Sequence, residues 1–255
     1  MRVLAFDTSA SIGSVAVVDD SGPIGEVFFT VTRARSEETM AICGHLLGDL
    51  GFKLRDMNGI GVGVGPGSFT GVRIAVTMAK TLSYMLKIPL AGVLTLDALA
   101  HAMRFWPGVI CPMIAARRRQ VYAASYTSYD CLDLSEPGGE RPGTGKGRRP
   151  SQPAIVDVDV VIEDMAGLGE DVLFTGDGAA RYRAEIEGAF ARAGKRARAH
   201  VALGIQAAVH ASSIAEIARC RIEAGDVDDP FTLAPFYLRK SGAELVWEQR
   251  SMRSV

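Results

Sequence analysis

The order of apolar segments along this sequence of 255 residues constrains its fold more than any other feature, because the same order occurs twice. In the first half, three strand-like segments precede a segment with helical spacing, and strand and helix then alternate, which predicts βββαβαβα. We predict strands at 2–7, 13–18, 24–31, 60–64 and 90–93, and helices at 36–50, 70–85 and 95–105. The first helix is expected to begin at Ser36, whose hydroxyl can cap the first turn.

The second half follows the same order, beginning after Pro107-Gly108. We predict strands at 109–115, 121–129, 154–162, 172–175 and around 198–201, and helices beginning near 163, 179 and 204. The halves share little residue identity, so the repeat is one of pattern only. It predicts an α/β protein with two mixed-sheet lobes and a cleft between them. The predicted domains are residues 1–106 and 107–225, followed by a tail at 226–255.

One segment interrupts the second lobe between its second and third predicted strands. Residues 130–153 are rich in glycine, proline and charge, and their basic residues cluster towards the end. Few apolar residues there could stabilise an ordered conformation, so a mobile loop is one interpretation. A basic arm that binds phosphate is the alternative.

Hydropathy and charge exclude several classes of protein. No stretch reaches the roughly 18 consecutive apolar residues of a membrane-spanning helix, and Asp7 interrupts the first apolar run too early for a secretory signal. We therefore expect a cytoplasmic protein with no membrane contact. The net charge is −1, whereas a protein that binds nucleic acid unaided is usually basic, since phosphate contacts supply most of the affinity.

The cysteines and histidines show no metal-ligand spacing. None of the four cysteines belongs to a CxxC pair, and none of the four histidines belongs to an HxxxH or HExxH motif. The sequence therefore predicts no metal site.

The most distinctive stretch is the run GVGVGPGSFTG at residues 61–71, between the fourth strand and the second helix. It is not a P-loop, because it contains no lysine. Its glycines indicate either a tight strand-to-helix corner or an anion site on the N–H groups of the helix start. The first strand ends in a carboxylate and two hydroxyls, which can bond the turn or hold a nucleotide phosphate. The candidate contacts for a nucleotide or another anion are Asp7, Thr8, Ser9, Gly65, Gly67 and Ser68.

The helix that follows carries small residues at a spacing of four, namely Gly71, Ala75 and Ala79. Small residues on one side of a helix let another backbone approach closely. Burial against the chain's own sheet is one interpretation. Because the helix is apolar on more than one side, contact with a helix of another chain is the second. Arg73 lies near the helix start, where the dipole disfavours a cation, so it is expected either to pair with an acid or to point at a ligand.

Several of these motifs together resemble the TsaB (YeaZ) family. They are Asp7-Thr8-Ser9, GPGSFTGVRI at 65–74, Gly176-Asp177-Gly178 and Pro235-x-Tyr237-Leu238-Arg239. The resemblance keeps its order over most of the chain and implies a duplicated actin/Hsp70-like (RNase H-like) fold. It also implies a role in forming N6-threonylcarbamoyladenosine at position 37 of tRNAs that read ANN codons.

The same resemblance implies partners and no cofactor of the chain's own. In this family the protein forms a heterodimer with the catalytic subunit TsaD, the ATPase TsaE joins the assembly, and tRNA is bound only within the complex. A homodimer of the chain alone is a further expectation, as is ATP or ADP at the subunit or lobe cleft of the complex. The implied contact helices are 36–50 and 70–86. The partner-interface residues expected on them are Met40, Cys43, Leu47, Gly71, Ala75, Met78, Ala79 and Leu82.

Departures from the family pattern favour a non-catalytic subunit. Where members commonly carry Asp-Ala-Arg and a following Glu, this sequence has Ala115-Ala116-Arg117 and Gln120. Nucleotide chemistry in actin-like folds draws carboxylates from both lobes, so Asp7 without a partner predicts no ATP hydrolysis and no catalytic residue. An enzyme acting on its own, either metallopeptidase-like or an ATPase or kinase, is the alternative. A stand-alone tRNA-binding module is a third hypothesis, which the charge disfavours.

Overall fold

The computed structural model describes residues 1–32, 38–127, 152–194 and 197–238. The predicted cap at Ser36 lies outside these residues, as do nearly all of the 130–153 segment and the tail beyond 238. The strands are β1 Val3–Asp7, β2 Ile12–Asp19, β3 Gly22–Thr30, β4 Gly59–Gly65, β5 Leu90–Leu94, β6 Val109–Ala115, β7 Gln120–Ala123, β8 Ala154–Asp157, β9 Val172–Thr175 and β10 Ala199–Val201. The α-helices are α1 Thr39–Asp49, α2 Phe69–Leu86, α3 Thr95–Ala102, α4 Val158–Ala166, α5 Asp177–Arg181, α6 Arg183–Ala193 and α7 Ala211–Glu223, with 3₁₀ turns at Leu54–Asp56 and Gly204–Ala207.

Two five-stranded sheets carry the fold, and their topologies correspond strand for strand. The first has the order β3-β2-β1-β4-β5, and the second, read from its far edge, has the order β8-β7-β6-β9-β10. In each, the first strand pairs antiparallel with the second and parallel with the fourth. The predicted α/β duplication with mixed sheets is therefore confirmed.

The first sheet is covered on both faces, which is why its central strands read as continuous apolar runs. On one face, α1 and α2 enclose a core that includes Leu4, Phe6 and Val62. On the other face lie α3 and α7, around alternate residues such as Val3 and Ala5. The two helices α1 and α2 thus lie side by side on one face of the sheet.

Helix α7, which the pattern assigned to the second lobe, packs on the first sheet. Ser14 of β2 donates to the carbonyl of Val209 at 2.6 Å, and the Glu26 carboxylate accepts from both the backbone N–H and the hydroxyl of Ser212. After α7 the chain stays on this lobe, since the N–H of Asp228 donates to Leu90 O at 2.8 Å. A helix and a segment from the second half of the sequence therefore pack on the first lobe. The predicted domain limits stay a prediction.

Some predicted boundaries were wrong. Residues 154–162, predicted as one strand from their alternating pattern, form β8 and then α4. The change occurs at Asp157, whose carboxylate accepts from the N–H of Asp159 and caps the helix. The helix predicted from 204 begins instead at Ala211, after a 3₁₀ turn. Within the described ranges, none of the helices is long and apolar enough to cross a membrane.

Candidate functional site

The turn after β1 packs directly on the corner between β4 and α2. The Thr8 hydroxyl donates to Gly71 O at 2.8 Å, and the N–H of Ser68 donates to Ser9 O at 2.6 Å. The Ser68 hydroxyl caps α2 by accepting from the N–H of Gly71 at 3.3 Å. Two of the N–H groups at this helix start therefore already have acceptors within the chain.

Three glycines make this contact between turn and corner sterically possible. A Cβ atom at Gly71 would overlap the carbonyl oxygen of Thr8, and one at Gly67 would overlap that of Ser9. At Gly63 it would overlap the carboxylate of Asp7. The glycine-rich run is therefore a tight strand-to-helix corner, the first of its two interpretations.

Asp7 lies beneath the corner and is fully buried. Its Oδ1 accepts from the N–H and the hydroxyl of Ser9, at 2.9 and 2.7 Å, while its Oδ2 has no hydrogen-bond partner among the described residues. Burial raises the pKa of this carboxyl to about 6, against the smaller opposing effect of the Ser9 hydrogen bonds.

Asp7→Asn is expected to remove a pH dependence of stability. The pKa of Asp7 is 3.8 when exposed and about 6 in the folded chain, so the folded state binds the proton more tightly. The contribution of Asp7 to stability is present below pH 4 and is lost as the pH rises through 6. Urea unfolding of both proteins should show the free-energy difference, wild type minus variant, falling by about 2 kcal/mol between pH 4 and pH 7. A difference that stays constant with pH would contradict this account.

A cleft of about 860 Å³ lies between the lobes, at the helix-start side of the corner. Of the predicted anion contacts, Ser9, Gly67 and Ser68 line it. Asp7, Thr8 and Gly65 are buried and do not line it, so their prediction as ligand contacts stays a prediction and would require the corner to open. The sequence showed that β1 ends in polar residues but not that the corner covers them.

Arg73 projects into this cleft from α2. Its guanidinium carbon lies 5.1 Å from the centre of the Phe69 ring, and it forms no ion pair with any residue that the structure describes. Of the two expectations for this side chain, pairing with an acid is therefore not seen within the described ranges, and contact with a ligand stays a prediction.

Asp177 lines the same cleft from the second lobe, a position that the sequence reasoning missed. It is the first residue of α5, and its Oδ1 accepts from the N–H of Ala115 at 2.9 Å. Burial raises the pKa of its carboxyl, while the backbone hydrogen bonds and Arg181 oppose the shift. The signal was the GDG turn after a buried strand, because ligands of α/β sheets bind at the carboxyl ends of strands. The second lobe therefore does offer a carboxylate, despite Ala115.

The cleft residues do not fit a nucleotide held by magnesium between two carboxylates. Asp177 lines the cleft, but the first-lobe carboxylate of Asp7 points at Gly63 beneath the corner. Within the described part of the chain, no group of three His, Cys, Asp or Glu side chains is placed to hold a metal ion.

Most of the predicted partner-interface residues lie in the core. Six of them are buried on the side of the helices that faces the first sheet: Cys43, Leu47, Gly71, Ala75, Ala79 and Leu82. Met40 and Met78 are half-buried. The small-residue stripe of α2 therefore lets the helix approach its own sheet, which is the first of its two interpretations, and contact of these residues with a partner helix stays a prediction.

The outward sides of the same two helices form a different surface. On α1 three of the exposed residues, Ala41, Gly44 and Gly48, are small, and a Cβ atom added at Gly44 or Gly48 would meet no atom within 4 Å. On α2 the outward residues are longer, and Met85 is 72% exposed. We define the helix-pair surface as Ala41, Gly44 and Gly48 of α1 with Ile74, Thr77, Met78, Thr81 and Met85 of α2.

The segment 226–238 follows another side of α2. The Lys80 ammonium donates to Leu233 O at 2.8 Å, and the rings of Tyr84 and Phe231 meet edge to face at 5.3 Å. Farther along, the N–H of Phe236 donates to Val64 O at 2.7 Å. This segment thus reaches the glycine corner and the cleft without covering the helix-pair surface.

Comparisons with known proteins agree on one group. Residues 27–247 match the family model described as "TsaD: tRNA N6-adenosine threonylcarbamoyltransferase". The chain is 30% identical over 251 residues to the tRNA threonylcarbamoyladenosine biosynthesis protein TsaB of Bacillus subtilis, a match that covers 97% of this chain and 98% of the relative. It is 35% identical over 128 residues to TsaB of Escherichia coli, covering 49% of this chain and 55% of that protein.

Solved structures share the fold. An uncharacterized Pseudomonas aeruginosa protein with similarity to peptidase YEAZ superposes with a TM-score of 0.71 at 24% identity, covering 93% of this chain and 99% of that one. YeaZ of the same organism gives 0.67 at 23% identity with the same coverage. These similarities, with the corresponding sheets, confirm the predicted duplicated actin-like fold.

Proposed function

The chain belongs to the TsaB (YeaZ) family, whose curated members are named for tRNA threonylcarbamoyladenosine biosynthesis, and we propose that within this pathway it is the non-catalytic subunit that binds TsaD. Catalysis of threonylcarbamoyl transfer, at position 37 of tRNAs reading ANN codons, is assigned to TsaD. In this proposal TsaE and tRNA join the assembly and the complex works in the cytoplasm.

The helix-pair surface is the observation that carries the proposal. It presents an exposed helix with open space beside Gly44 and Gly48, next to a helix that exposes Met85. Exposed glycines let a partner helix approach to the 8–10 Å of close helix packing, and neighbouring methionines supply apolar area. Both features are those of a helix-docking surface.

The match to the TsaD family model suggests how such a surface is used. A partner with the same fold would carry a corresponding pair of helices, so the two pairs could meet across an approximate two-fold axis. The same geometry would allow two copies of this chain to pair when TsaD is absent. We therefore propose one surface for both the heterodimer and the homodimer.

The geometry of the cleft favours the non-catalytic role over an enzyme acting alone. The buried Asp7 cannot reach a ligand in the cleft without opening the corner, which leaves Asp177 without an opposing first-lobe carboxylate. Metal-assisted phosphoryl transfer and hydrolysis need carboxylates placed to hold the metal ion against the reacting atoms. Binding of ATP or ADP at a cleft of the complex stays a prediction from the family resemblance.

Mixing the chain with TsaD tests the proposal directly. We expect sedimentation velocity at micromolar concentrations to show a heterodimer in place of the separate proteins. Two species that sediment independently at all concentrations would contradict it. A parallel ATPase assay of the isolated chain should give no turnover above a blank.

A further inference from the structure

Two arginines face the interlobe cleft from opposite lobes. Arg73 projects from α2, and Arg117 lies in the hairpin between β6 and β7. Both are exposed, and neither forms an ion pair with a residue in the described ranges. Arg119, only two residues farther on, pairs instead with Asp159 at 2.8 Å and with Glu185 at 3.8 Å. Among the described residues, each wall of the cleft therefore carries a cation without an ion-pair partner, which favours an anionic ligand.

The carboxylate of Asp177 also lines this cleft, and it already interacts with other groups of the second lobe. It accepts a hydrogen bond from the N–H of Ala115 and lies near the Arg181 guanidinium, which opposes the rise of its pKa. It therefore opposes an anion less than an isolated carboxylate would.

Exposed aromatic rings lie beside the first of these arginines. Phe69 and Tyr237 stack with their centres 4.9 Å apart and their planes 25° apart. They stay 40% and 44% exposed, although large rings normally bury most of their surface. With the guanidinium of Arg73 over Phe69, they form a layered planar surface at the edge of the cleft.

This combination has the chemistry of a site for single-stranded nucleic acid. Arginines bind phosphates, and exposed aromatic or guanidinium planes stack on unpaired bases. A volume of about 860 Å³ is that of a small-molecule site and cannot admit a duplex. We propose that the cleft of this chain holds an unpaired nucleotide of the tRNA within the complex, with Arg73 and Arg117 on its phosphates and the Phe69–Tyr237 stack against a base.

The inference rests on the proposed function, because TsaD must first bring tRNA to this chain. It is consistent with the net charge of −1, since two phosphate contacts are too few to bind RNA unaided at physiological salt. It gives this chain a role in recognising the tRNA substrate, and that role requires no catalysis by the chain.

The test measures the affinity of an unmodified tRNA transcript for the assembled complex of chain and TsaD. The double variant Arg73→Ala/Arg117→Ala is compared with Arg55→Ala/Arg192→Ala, which loses the same charge at two exposed arginines that do not line the cleft. We expect the cleft variant alone to bind tRNA about tenfold more weakly. Its slope of log affinity against log salt should fall by about 1.5, the value for two phosphate contacts with a single strand.

A second variant separates stacking from charge. Phe69→Leu keeps an apolar side chain at the helix start but removes the ring. We expect it to weaken tRNA binding by about tenfold without altering the slope against salt, because no ionic contact is lost. A change in slope equal to that of the arginine variant would contradict the assigned roles.

The outcomes separate this inference from the proposed function. Association with TsaD is measured first, and we expect it to be the same for every variant. If the arginine variant loses TsaD, the cleft belongs to the subunit interface and the inference is overturned. An unchanged affinity of the arginine variant for tRNA also overturns it. So does a variant that loses affinity only for ATP, titrated in place of tRNA, because the cleft would then be a mononucleotide site. Failure of the wild-type chain to bind TsaD would contradict both the proposed function and the inference.

Discussion

Gly44→Arg is expected to abolish binding of TsaD while leaving the chain folded. Gly44 lies in the middle of α1 on the helix-pair surface, and a Cβ atom there would meet no atom of this chain within 4 Å. Arginine is a better helix former than glycine by about 0.5–1 kcal/mol, so the variant should be at least as stable as the wild type. A lost association could then not be attributed to unfolding.

The expected loss is large because a close helix contact has no room for an arginine. The side chain would fill the space that the glycine leaves for a partner helix, and docking would bury its charge. We expect binding at least about 100-fold weaker, which corresponds to about 3 kcal/mol, as measured by titration calorimetry. Ala191→Arg, at an exposed position of α6, is the matched control and should bind TsaD normally.

Equal affinities of Gly44→Arg and Ala191→Arg would move the interface away from α1. The substitution Ala75→Arg cannot answer the same question, because Ala75 is fully buried against the first sheet. An arginine there is expected to unfold the lobe, so any lost binding would be uninformative.

Gly71→Ala is expected to be strongly destabilising. The added Cβ would overlap the carbonyl oxygen of Thr8, and backbone on both sides leaves neither group free to move. The same shift would stretch the hydrogen bond from the Thr8 hydroxyl to Gly71 O. We expect a loss of about 3 kcal/mol or more in the free energy of unfolding, at the upper end for overpacking, as measured by urea denaturation.

Gly44→Ala is the matched control for this prediction. Both glycines lie in α-helices, but the space around Gly44 is open. Alanine there should stabilise the chain by about 0.5–1 kcal/mol, the difference in helix propensity. If both variants changed stability in the same direction, the close approach at Gly71 would not be the reason for glycine at this position.

The order of strands and helices could be predicted from the sequence because each element carries its own periodicity. The face of α2 that packs on the sheet could not be predicted from the sequence. Its small residues and its longer apolar residues both suit a buried face, and only the sheet decides that Ala75 turns inward and Met85 outward. The strand predicted over 154–162 failed for a similar reason, since alternating Asp and Val fit a strand until Asp157 caps a helix.

The candidate site was predicted only in part, because its geometry depends on contacts between distant segments. The polar turn at 7–9 is visible in the sequence, but whether Asp7 faces a ligand or the corner depends on Gly63, more than fifty residues away. Asp177 enters the cleft only because the second sheet repeats the topology of the first. The segment 226–238 carries Tyr237 back to Phe69, a contact that no local pattern predicts.

The central claim is that this chain supports threonylcarbamoyl transfer without performing it. The most direct test is the yield of N6-threonylcarbamoyladenosine from TsaD, TsaE, threonylcarbamoyl-adenylate and unmodified tRNA, measured with and without the chain. We expect the modified nucleoside only when the chain and TsaD are both present, and none from the chain with tRNA and the adenylate alone. Transfer by the chain without TsaD, or an equal yield when the chain is omitted, would contradict the account.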